Sequence, residues 1–333
     1  MATFLITGGA GFIGSHLAEA LLGNGEHVIA YDNLSTGKVA NLVAAWDHPH
    51  LRFVHGSVLD VQAVDEVVAE ADVIVHLAAA VGVRLIVEQP LKSLVTNIRG
   101  SEIIYDRAER YGRKKIIVAS TSEIYGKNTA APLAETADRV LGSPAVARWA
   151  YSTSKAVDEI LAYAYQKERG LPTVVVRLFN TVGPRQSPSY GMVIPRMVTQ
   201  AVADRPLTVY GDGRQTRCFC HVRDVVDAVI GLVDDPRAEG DVFNLGSSEE
   251  VTILALAQRI KAAVGSSSPI ELIPYDQAYE AGFEDMLRRV PDTSKIQALT
   301  GWAPTRTLDE ILHETIADVA AADDAKIGAP AAP

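Results

Sequence analysis

The chain has little cysteine, few aromatic residues and no excess of positive charge. Cys218 and Cys220 are its two cysteines, and side chains two positions apart on a strand point to opposite faces. Neither a disulfide nor a thiol-ligated metal is therefore predicted, and reduced thiols in a cytoplasmic protein are expected. The net charge of −10 makes a nucleic acid or an anionic membrane surface an unfavourable partner.

Long apolar runs are also missing. No run approaches the roughly 20 apolar residues that a membrane helix requires, so no membrane span is predicted. The first apolar run has no basic segment before it and breaks at glycines, which argues against a signal peptide. The histidines are scattered without ligand spacing, so we predict no metal site.

Short apolar runs alternate with helical patterns through the first half of the chain. Strands are predicted near 3–7, 27–31, 52–55, 72–77, 115–119 and 173–177, and helices near 12–24, 61–70, 91–111 and 149–169. Runs that are apolar throughout are typical of strands buried on both faces of a parallel sheet. The predicted fold class is therefore α/β, with a doubly wound parallel sheet.

Glycines at positions 8, 11 and 14 follow the first predicted strand and open the first predicted helix. Glycine is required where a strand bends sharply into a helix and a pyrophosphate must come close to the backbone. The amides and the positive dipole end of the helix N-terminus then bind the phosphates. Asp32 ends the second predicted strand, at the distance where a carboxylate accepts the ribose hydroxyls of NAD. These features predict a Rossmann-type NAD site.

The alternation of strands and helices weakens beyond residue 180, where prolines and glycines interrupt shorter segments. We therefore predict an NAD-binding domain over residues 1–180 that includes the helix near 149–169. A smaller C-terminal α/β lobe over 181–320 is expected to bind the substrate and to interleave with the first domain. Residues 321–333 have little periodicity and are predicted to form a flexible tail.

Two local patterns suggest catalytic chemistry. Ser122, Thr121 and Glu123 follow the fifth predicted strand, whose carboxyl end should face the ligand crevice. Tyr151 and Lys155 are four residues apart and lie on one helical face. We expect Tyr151 to take a proton from a sugar hydroxyl, Thr121 to orient that hydroxyl, and Lys155 to hold the nicotinamide ribose and lower the pKa of the phenol.

Six ordered motifs carry a resemblance to a known family. They are GGAGFIGSH at the start, HLAA at 76–79, STSEIYG at 120–126, YSTSK at 151–155, RLFNTVGPR at 177–185 and VYGDGRQTRCF at 209–219. With these motifs the chain resembles the extended short-chain dehydrogenases/reductases that act on nucleotide sugars, from residue 2 to residue 318. The resemblance implies bound NAD, a UDP-sugar or another nucleotide sugar as substrate, and a homodimer formed through the helices near 91–111 and 149–169.

The resemblance also assigns binding residues by motif position. Those implied for the cofactor are Gly8, Gly11, Phe12, Ile13, Gly14, Asp32, Asn33, Ser35, Gly37, Ser57, Val58, Leu77, Ala78, Ala79 and Lys155. Those implied for the sugar nucleotide are Asn180, Arg185, Val209, Tyr210, Arg217 and Arg289. Ser57 departs from the family pattern, because an aspartate is usual there. Arginine suits a diphosphate because its planar fork donates two parallel hydrogen bonds.

Members of this family share oxidation at sugar C4 and then catalyse different reactions. The residues at positions 122 and 123 help to distinguish these reactions. Dehydratases carry an aspartate where this chain has Ser122, and most 4-epimerases carry a small residue where it has Glu123. UDP-glucuronate decarboxylases have Thr-Ser-Glu at this strand end and a later Arg-x-Pro, here Arg289 to Pro291. They also carry a tyrosine where this chain has Ile86.

A UDP-glucuronate decarboxylase is thus the favoured hypothesis. Glu123 is expected to manage the C5 proton or a water, with Arg289 near the leaving carboxylate. A 4-epimerase of a UDP-hexose or UDP-hexuronate is the alternative, and a 4,6-dehydratase is less favoured. A non-catalytic nucleotide-sugar binder is disfavoured because Tyr151, Lys155 and Thr121 are all present.

Overall fold

A computed structural model of the chain describes residues 1–82, 88–146, 148–188, 192–278 and 286–327. Ile86, the position that departs from the decarboxylase pattern, lies outside the described residues.

A parallel sheet forms the centre of the molecule. Its strands are β1 (Thr3–Thr7), β2 (His27–Asp32), β3 (Leu51–His55), β4 (Val73–His76), β5 (Lys115–Thr121), β6 (Thr173–Leu178) and β11 (Asp241–Leu245). Among the described residues they are seven strands in the order β11-β6-β5-β4-β1-β2-β3, and each neighbouring pair is parallel. The predicted α/β fold with a doubly wound parallel sheet is confirmed. The strand order reverses between β1 and β4, and ligands bind outside the carboxyl ends of the strands at such a point.

Helices cover both faces of this sheet. They are α1 (Phe12–Gly23), α2 (Val61–Glu70), α3 (Pro90–Arg110), α4 (Arg148–Arg169), α5 (Val193–Val202), α6 (Val222–Asp234), α7 (Ile253–Val264), α8 (Tyr275–Ala278), α9 (Ser294–Thr300) and α10 (Leu308–Ile327). Successive strand residues point to opposite faces, so Ile6 packs in the core under α1 and α6, while Leu5 packs in the core under α2, α3 and α4. Both side chains are fully buried.

The C-terminal lobe has a separate hydrophobic core. Its short strands are β7 (Thr181–Val182), β8 (Leu207–Tyr210), β9 (Thr216–Cys218), β10 (Cys220–His221), β12 (Glu250–Thr252) and β13 (Ile270–Ile273), which pair as β7 with β10, β8 with β13 and β9 with β12. Met197 of α5, Leu256 of α7 and Ile311 of α10 are fully buried together between these elements. This lobe forms the second wall of the ligand crevice.

The chain returns to the central sheet after it has entered the C-terminal lobe. β11 forms an edge of that sheet beside β6, and α6 packs in the same core as α1. At the end of the chain, α10 extends to Ile327, inside the segment for which the sequence predicts a tail. Alanine is a strong helix former, which accounts for this extension.

Cys218 and Cys220 are both buried and unpaired with each other. Burial raises the pKa of the Cys218 thiol to about 12, so this thiol stays protonated. None of the helices in the described ranges is both long enough and apolar enough to span a bilayer.

Candidate active site

A cavity of about 580 Å³ opens at the carboxyl ends of the central strands, between the two lobes. Gly8, Asp32 and Tyr151 line it from the first lobe, and Tyr210 and Arg289 line it from the second. Its volume lies in the range of small-molecule sites, and it coincides with the reversal of strand order. The cavity is therefore the candidate active site.

The glycine turn after β1 forms one end of the cavity. Gly8 has a positive φ of 74°, and a Cβ there would lie 3.0 Å from the backbone nitrogen of Ala78. A side chain would therefore be strained by the backbone conformation and would also press on the wall of the cavity. Helix α1 begins next to this turn, and its N-cap residue, Gly11, makes no side-chain capping bond. The first amides of α1 are thus available to an anion.

Asp32 ends β2 and lies beside the glycine turn. Its Oδ2 accepts a hydrogen bond from the amide of Ala10 at 3.0 Å, and its Oδ1 accepts one from the amide of Leu34 at 2.8 Å. Burial raises the pKa of the Asp32 carboxyl, while these two backbone hydrogen bonds act in the opposite direction. The two amides hold the carboxylate at the rim of the cavity, as an acceptor for ribose hydroxyls requires.

Most of the other predicted cofactor residues lie on the same wall. These are Gly11, Phe12, Ile13, Gly14, Asn33, Ser35, Val58, Leu77, Ala78, Ala79 and Lys155. Gly37 and Ser57 do not line the cavity. Gly37 packs against Asp32, and a Cβ there would lie 2.8 Å from Asp32 Oδ2. The Ser57 hydroxyl accepts a hydrogen bond from the amide of Leu59 at 3.2 Å, so this side chain stabilises the turn after β3.

Tyr151 and Thr121 meet at the carboxyl end of β5. The Thr121 hydroxyl accepts a hydrogen bond from the amide of Glu123 at 3.2 Å and also hydrogen-bonds with the phenol of Tyr151. Burial raises the pKa of the Tyr151 phenol, the carboxylates of Glu123 and Asp158 raise it further, and the bond with Thr121 lowers it. The free protein therefore keeps this phenol protonated.

Lys155 lies on the same helix and lines the cavity, but its ammonium pairs with a carboxylate. Its Nζ donates to Asp158 Oδ2 at 2.5 Å, and both side chains are buried. Burial, Glu123 and Asp158 raise the pKa of Tyr151 and Thr121 lowers it, and the lowering of this pKa by Lys155 stays a prediction. Asp158 was not predicted from the sequence.

Glu123, Arg289 and Asn180 form a cluster on the cavity wall. Arg289 Nη1 donates to Glu123 Oε1 at 2.5 Å, and Arg289 Nη2 donates to Asn180 Oδ1 at 2.5 Å. The Arg289 side chain is 8% exposed, so its positive charge is held in a largely dry place beside the cavity. Arg289 Nε is buried and makes no hydrogen bond within the described part of the chain. Arg289 lines the cavity, so the charge of its guanidinium favours an anionic ligand there.

A further buried ion pair, between Arg177 and Glu159, fixes the strand end that carries Thr121. Arg177 donates from Nε and Nη2 to the two carboxylate oxygens of Glu159, at 3.0 and 2.7 Å. Glu159 Oε1 also accepts a hydrogen bond from the Ser120 hydroxyl at 2.5 Å. This arrangement ties β5 and β6 to α4, so Thr121 and Tyr151 are held in a fixed relation. Ser122, predicted as a catalytic residue, is buried and lines the cavity next to Thr121.

The C-terminal lobe supplies the opposite wall. The Arg196 guanidinium stacks over the Tyr210 ring at 4.2 Å from its centroid, and Arg217 lies on the same wall. Val209 does not line the cavity, because its side chain is fully buried in the core of this lobe. Arg185 lines the cavity and also pairs with Glu19 of α1 at 2.7 Å. Arg185 therefore joins the two lobes at the cofactor end.

Several cavity residues escaped the sequence reasoning. Among them are Lys92, Arg196, Gln215 and Tyr275. Lys92, Arg196 and Tyr275 lie outside the six motifs, whereas Gln215 lies inside VYGDGRQTRCF and was given no role. Among the described residues, no group of three metal-ligating side chains is arranged to hold a metal ion.

The site fits NAD on its own geometry. A Cβ at Gly8 would press on the backbone of Ala78, and the start of α1 and Asp32 line the cavity beside this turn. The charge of Asp32 favours ribose hydroxyls over a ribose phosphate, as in NAD sites. Tyr151 and Lys155 line the far part of the same cavity, where the nicotinamide end is expected.

Sequence comparison places the chain among nucleotide-sugar enzymes. Residues 5–315 match the family described as GDP-mannose 4,6 dehydratase. The chain is 40% identical over 317 residues to a UDP-N-acetyl-alpha-D-glucosaminuronate decarboxylase of Bacillus cytotoxicus, with 94% of this chain and 96% of that protein covered. It is 37% identical over 312 residues to UDP-glucuronic acid decarboxylase 1 of Danio rerio, with 94% and 71% covered.

Structural comparison agrees. The fold is similar to the crystal structure of UDP-glucuronic acid 4-epimerase from Bacillus cereus in complex with UDP-glucuronic acid and NAD. The TM-score is 0.87 at 28% identity, and the match covers 96% of this chain and 99% of that one.

Proposed function

The chain belongs to the GDP-mannose 4,6 dehydratase family, and we propose that it is an NAD-dependent decarboxylase of a UDP-hexuronate, with UDP-glucuronate as the first candidate. The observation that carries the proposal is the contact of Arg289 with Glu123 and Asn180, on the cavity that Tyr151 also lines. A charged arginine on the cavity wall suits a substrate that brings a carboxylate. Two decarboxylases are among the relatives at 37% identity or more.

The first step is the removal of a proton from the C4 hydroxyl. The ionised form of Tyr151 is the proton acceptor, and Thr121, which hydrogen-bonds with this side chain, orients the hydroxyl. Bound NAD would supply the acceptor for the C4 hydride and, later, the hydride donor for the product. Lys155 and Asp32 would hold its two riboses, and the Gly8 turn with the α1 amides would hold its diphosphate.

The second step is the loss of carbon dioxide. A C4 ketone lies β to the C6 carboxylate, so the bond between C5 and C6 can break and leave its electron pair on the C4 oxygen as an enolate. Tyr151 and Thr121 are placed to hydrogen-bond that oxygen. Arg289 binds the carboxylate before it leaves, and Glu123 directs a proton, its own or that of a water, to C5.

A 4-epimerase of a UDP-hexuronate is the second candidate. The similarity to a UDP-glucuronic acid 4-epimerase favours it, because the two chains share the fold along nearly their whole lengths. In such a reaction the carboxylate would stay on the sugar, and Arg289 would only bind it. A dehydratase is less favoured, because Ser122 stands where dehydratases carry an acid.

The test is incubation of the purified protein with UDP-glucuronate and, separately, with UDP-N-acetylglucosaminuronate. Carbon dioxide release is measured together with the mass of the product. Loss of the carboxyl mass supports the decarboxylase, and the preferred substrate identifies the group at C2. Unchanged mass with altered chromatographic retention supports the epimerase and contradicts the first proposal.

We also propose a homodimer formed through α3 and α4, in a cytoplasmic protein. Leu91 and Val95 of α3 are 73% and 39% exposed, and Ile160 and Tyr163 of α4 are 61% and 37% exposed. Each pair lies on one face of its helix, and apolar helix faces of this kind are usually covered. Light scattering of the wild type and of Ile160→Asp tests this, because the charge should yield a monomer.

A further inference from the structure

A buried carboxylate lies beneath the Tyr151–Lys155 pair and has no part in the reaction proposed above. The Asp158 side chain is fully buried, and it receives the Lys155 ammonium at 2.5 Å. We propose that Asp158 is a positioning residue, which holds the Lys155 ammonium where it serves Tyr151 and the nicotinamide ribose. The inference rests on the proposed function only for the identity of the reaction.

The helix geometry places Lys155 between two partners. Tyr151 lies four residues before it and Asp158 three residues after it, so all three occupy one face of α4. An ammonium has three donors, and Asp158 takes one of them. The other two remain for the phenol oxygen and the ribose hydroxyls. Without Asp158 the same ammonium would be a buried charge with no counter-charge, which proteins avoid.

Asp158 is the group that neutralises the charge of the Lys155 ammonium. The His76 ring lies near Lys155, but burial lowers its pKa to about 3, and the charge of Lys155 lowers it as well. His76 is therefore neutral at physiological pH. Within the described ranges, Asp158 is the carboxylate at ion-pair distance from Lys155.

A chain of polar groups connects Asp158 with the cofactor wall. The Ala78 amide donates to Thr7 Oγ1 at 3.1 Å, and Thr7 Oγ1 and His76 Nδ1 are 2.7 Å apart. His76 Nε2 and Ser101 Oγ are 3.0 Å apart. Asp158 Oδ1 makes no hydrogen bond of ordinary geometry within the described residues, although Ser101 is close enough to lower the pKa of the Asp158 carboxyl. Ser101 of α3 thus stands between Asp158 and the His76 ring that leads to the cofactor wall.

The charge of Asp158 also acts on the phenol. The acidic groups that face Tyr151 are Glu123 and Asp158, and Thr121 hydrogen-bonds with it. Glu123 is compensated by Arg289, whereas Asp158 is compensated by Lys155. The carboxylate of Glu159, next to Asp158, is occupied by Arg177. A neutral side chain at position 158 therefore removes one anion that opposes ionisation of Tyr151.

The test compares Asp158→Asn with the wild type and with Asp224→Asn. Asp224 is a matched control, since it is a buried carboxylate paired with Arg306 and lies away from the cavity. NAD affinity is measured by calorimetry, and ionisation of Tyr151 is measured by the tyrosinate absorbance that Tyr151→Phe removes. We expect Asp158→Asn to weaken NAD binding by about fivefold or more, the loss of one charge-assisted contact, and to lower the pH midpoint of Tyr151. Asp224→Asn should change neither.

A Lys155→Met background decides whether Asp158 acts through Lys155. In that background Asp158→Asn should have no further effect on NAD affinity. The proposal is overturned if Asp158→Asn alone binds NAD within about twofold of the wild type. It is also overturned if Asp158→Asn weakens NAD binding equally with and without Lys155. Asp158→Ser serves the same measurements if Asp158→Asn does not fold. None of these readouts needs turnover, so they remain decisive if the protein does not decarboxylate UDP-glucuronate.

Discussion

Arg289 donates a hydrogen bond to Glu123 across 166 positions of sequence, at 2.5 Å. The pair joins the end of β5 to the segment before α9, so both lobes must be in place for either charge to be compensated. Its neighbour in sequence, Arg288, pairs instead with Glu250 outside the cavity, where the Arg288 side chain is 52% exposed. The two adjacent arginines thus provide an active-site pair and a matched surface pair for the experiments below.

Glu123→Gln should slow turnover to the decarboxylated product while C4 oxidation persists, because protonation of the enolate at C5 completes each turnover. The amide cannot deliver a proton to C5 as a carboxylic acid can, yet it keeps the shape of the side chain. A loss of about 100-fold or more is expected, as for removal of a general acid. Carbon dioxide release and NADH absorbance are followed together, with Glu250→Gln as the control. Full decarboxylation by Glu123→Gln would remove Glu123 from the mechanism.

Arg289→Lys keeps the positive charge but loses the fork that reaches Glu123 and Asn180 together. One ammonium cannot reproduce two parallel contacts, so substrate binding and turnover should both fall, with kcat/KM lower by about tenfold to 100-fold. Steady-state kinetics with UDP-glucuronate checks this, and Arg288→Lys is the control. Equal kinetics in the two variants would show that Arg289 does not contact the substrate.

Tyr151→Phe should retain NAD and lose turnover by about 100-fold to 10,000-fold, because the proton acceptor for the C4 hydroxyl is missing. Tyr163→Phe is a suitable control, since Tyr163 lies on the same helix and is 37% exposed. Calorimetry measures NAD binding, and product mass measures turnover. A Tyr151→Phe enzyme with near-normal turnover would require another proton acceptor.

The pH dependence of turnover should follow the same phenol. Burial and two carboxylates raise the pKa of Tyr151, so the ionised form is scarce at low pH. The logarithm of kcat/KM for C4 oxidation should therefore rise with pH on its acid side. Asp158→Asn should move this limb to lower pH, whereas Asp224→Asn should leave it in place.

His76 predicts a pH dependence of stability. Burial lowers the pKa of His76 to about 3 from the ordinary value of 6.5, so the unfolded chain binds a proton that the folded chain does not. The free energy of unfolding should therefore fall as pH drops below about 6.5. One such group accounts for at most about 2 kcal/mol between pH 7 and pH 5. Denaturant unfolding at pH 7 and at pH 5 gives the change in the free energy of unfolding between the two pH values. This change should be smaller for His76→Gln than for the wild type. His313→Gln, a change at an exposed histidine, should behave like the wild type.

Much of the fold was predictable because its signals are local. The runs at β1, β5 and β6 are apolar on both faces, and the glycines at 8, 11 and 14 mark a turn that only one architecture uses in this way. β11 was not predicted, because its five residues, DVFNL, form neither a continuous apolar run nor a strict alternation, and nothing in them indicates that they pair with β6.

The site also contains residues that local patterns reveal and residues that depend on packing. Tyr151 and Lys155 could be found by their helical spacing and Thr121 by its strand end. Asp158 could not be distinguished from Glu159, since two adjacent acids on a helix look alike until the packing sends one to Lys155 and the other to Arg177. The Arg289–Glu123 contact depends on how the two lobes pack against each other, which no local sequence pattern encodes.

The position of β11 binds the two halves of the molecule into one folding unit. A fragment that ended after β6 would expose the hydrogen-bonding edge of that strand and uncover the side of the core that Phe243 and α6 fill. Such a fragment would be prone to aggregate, and unfolding of the intact protein should be a single cooperative transition. A chimaera that exchanges the substrate lobe between two relatives would therefore have to keep β11 and α6 from the same relative as the cofactor-binding half.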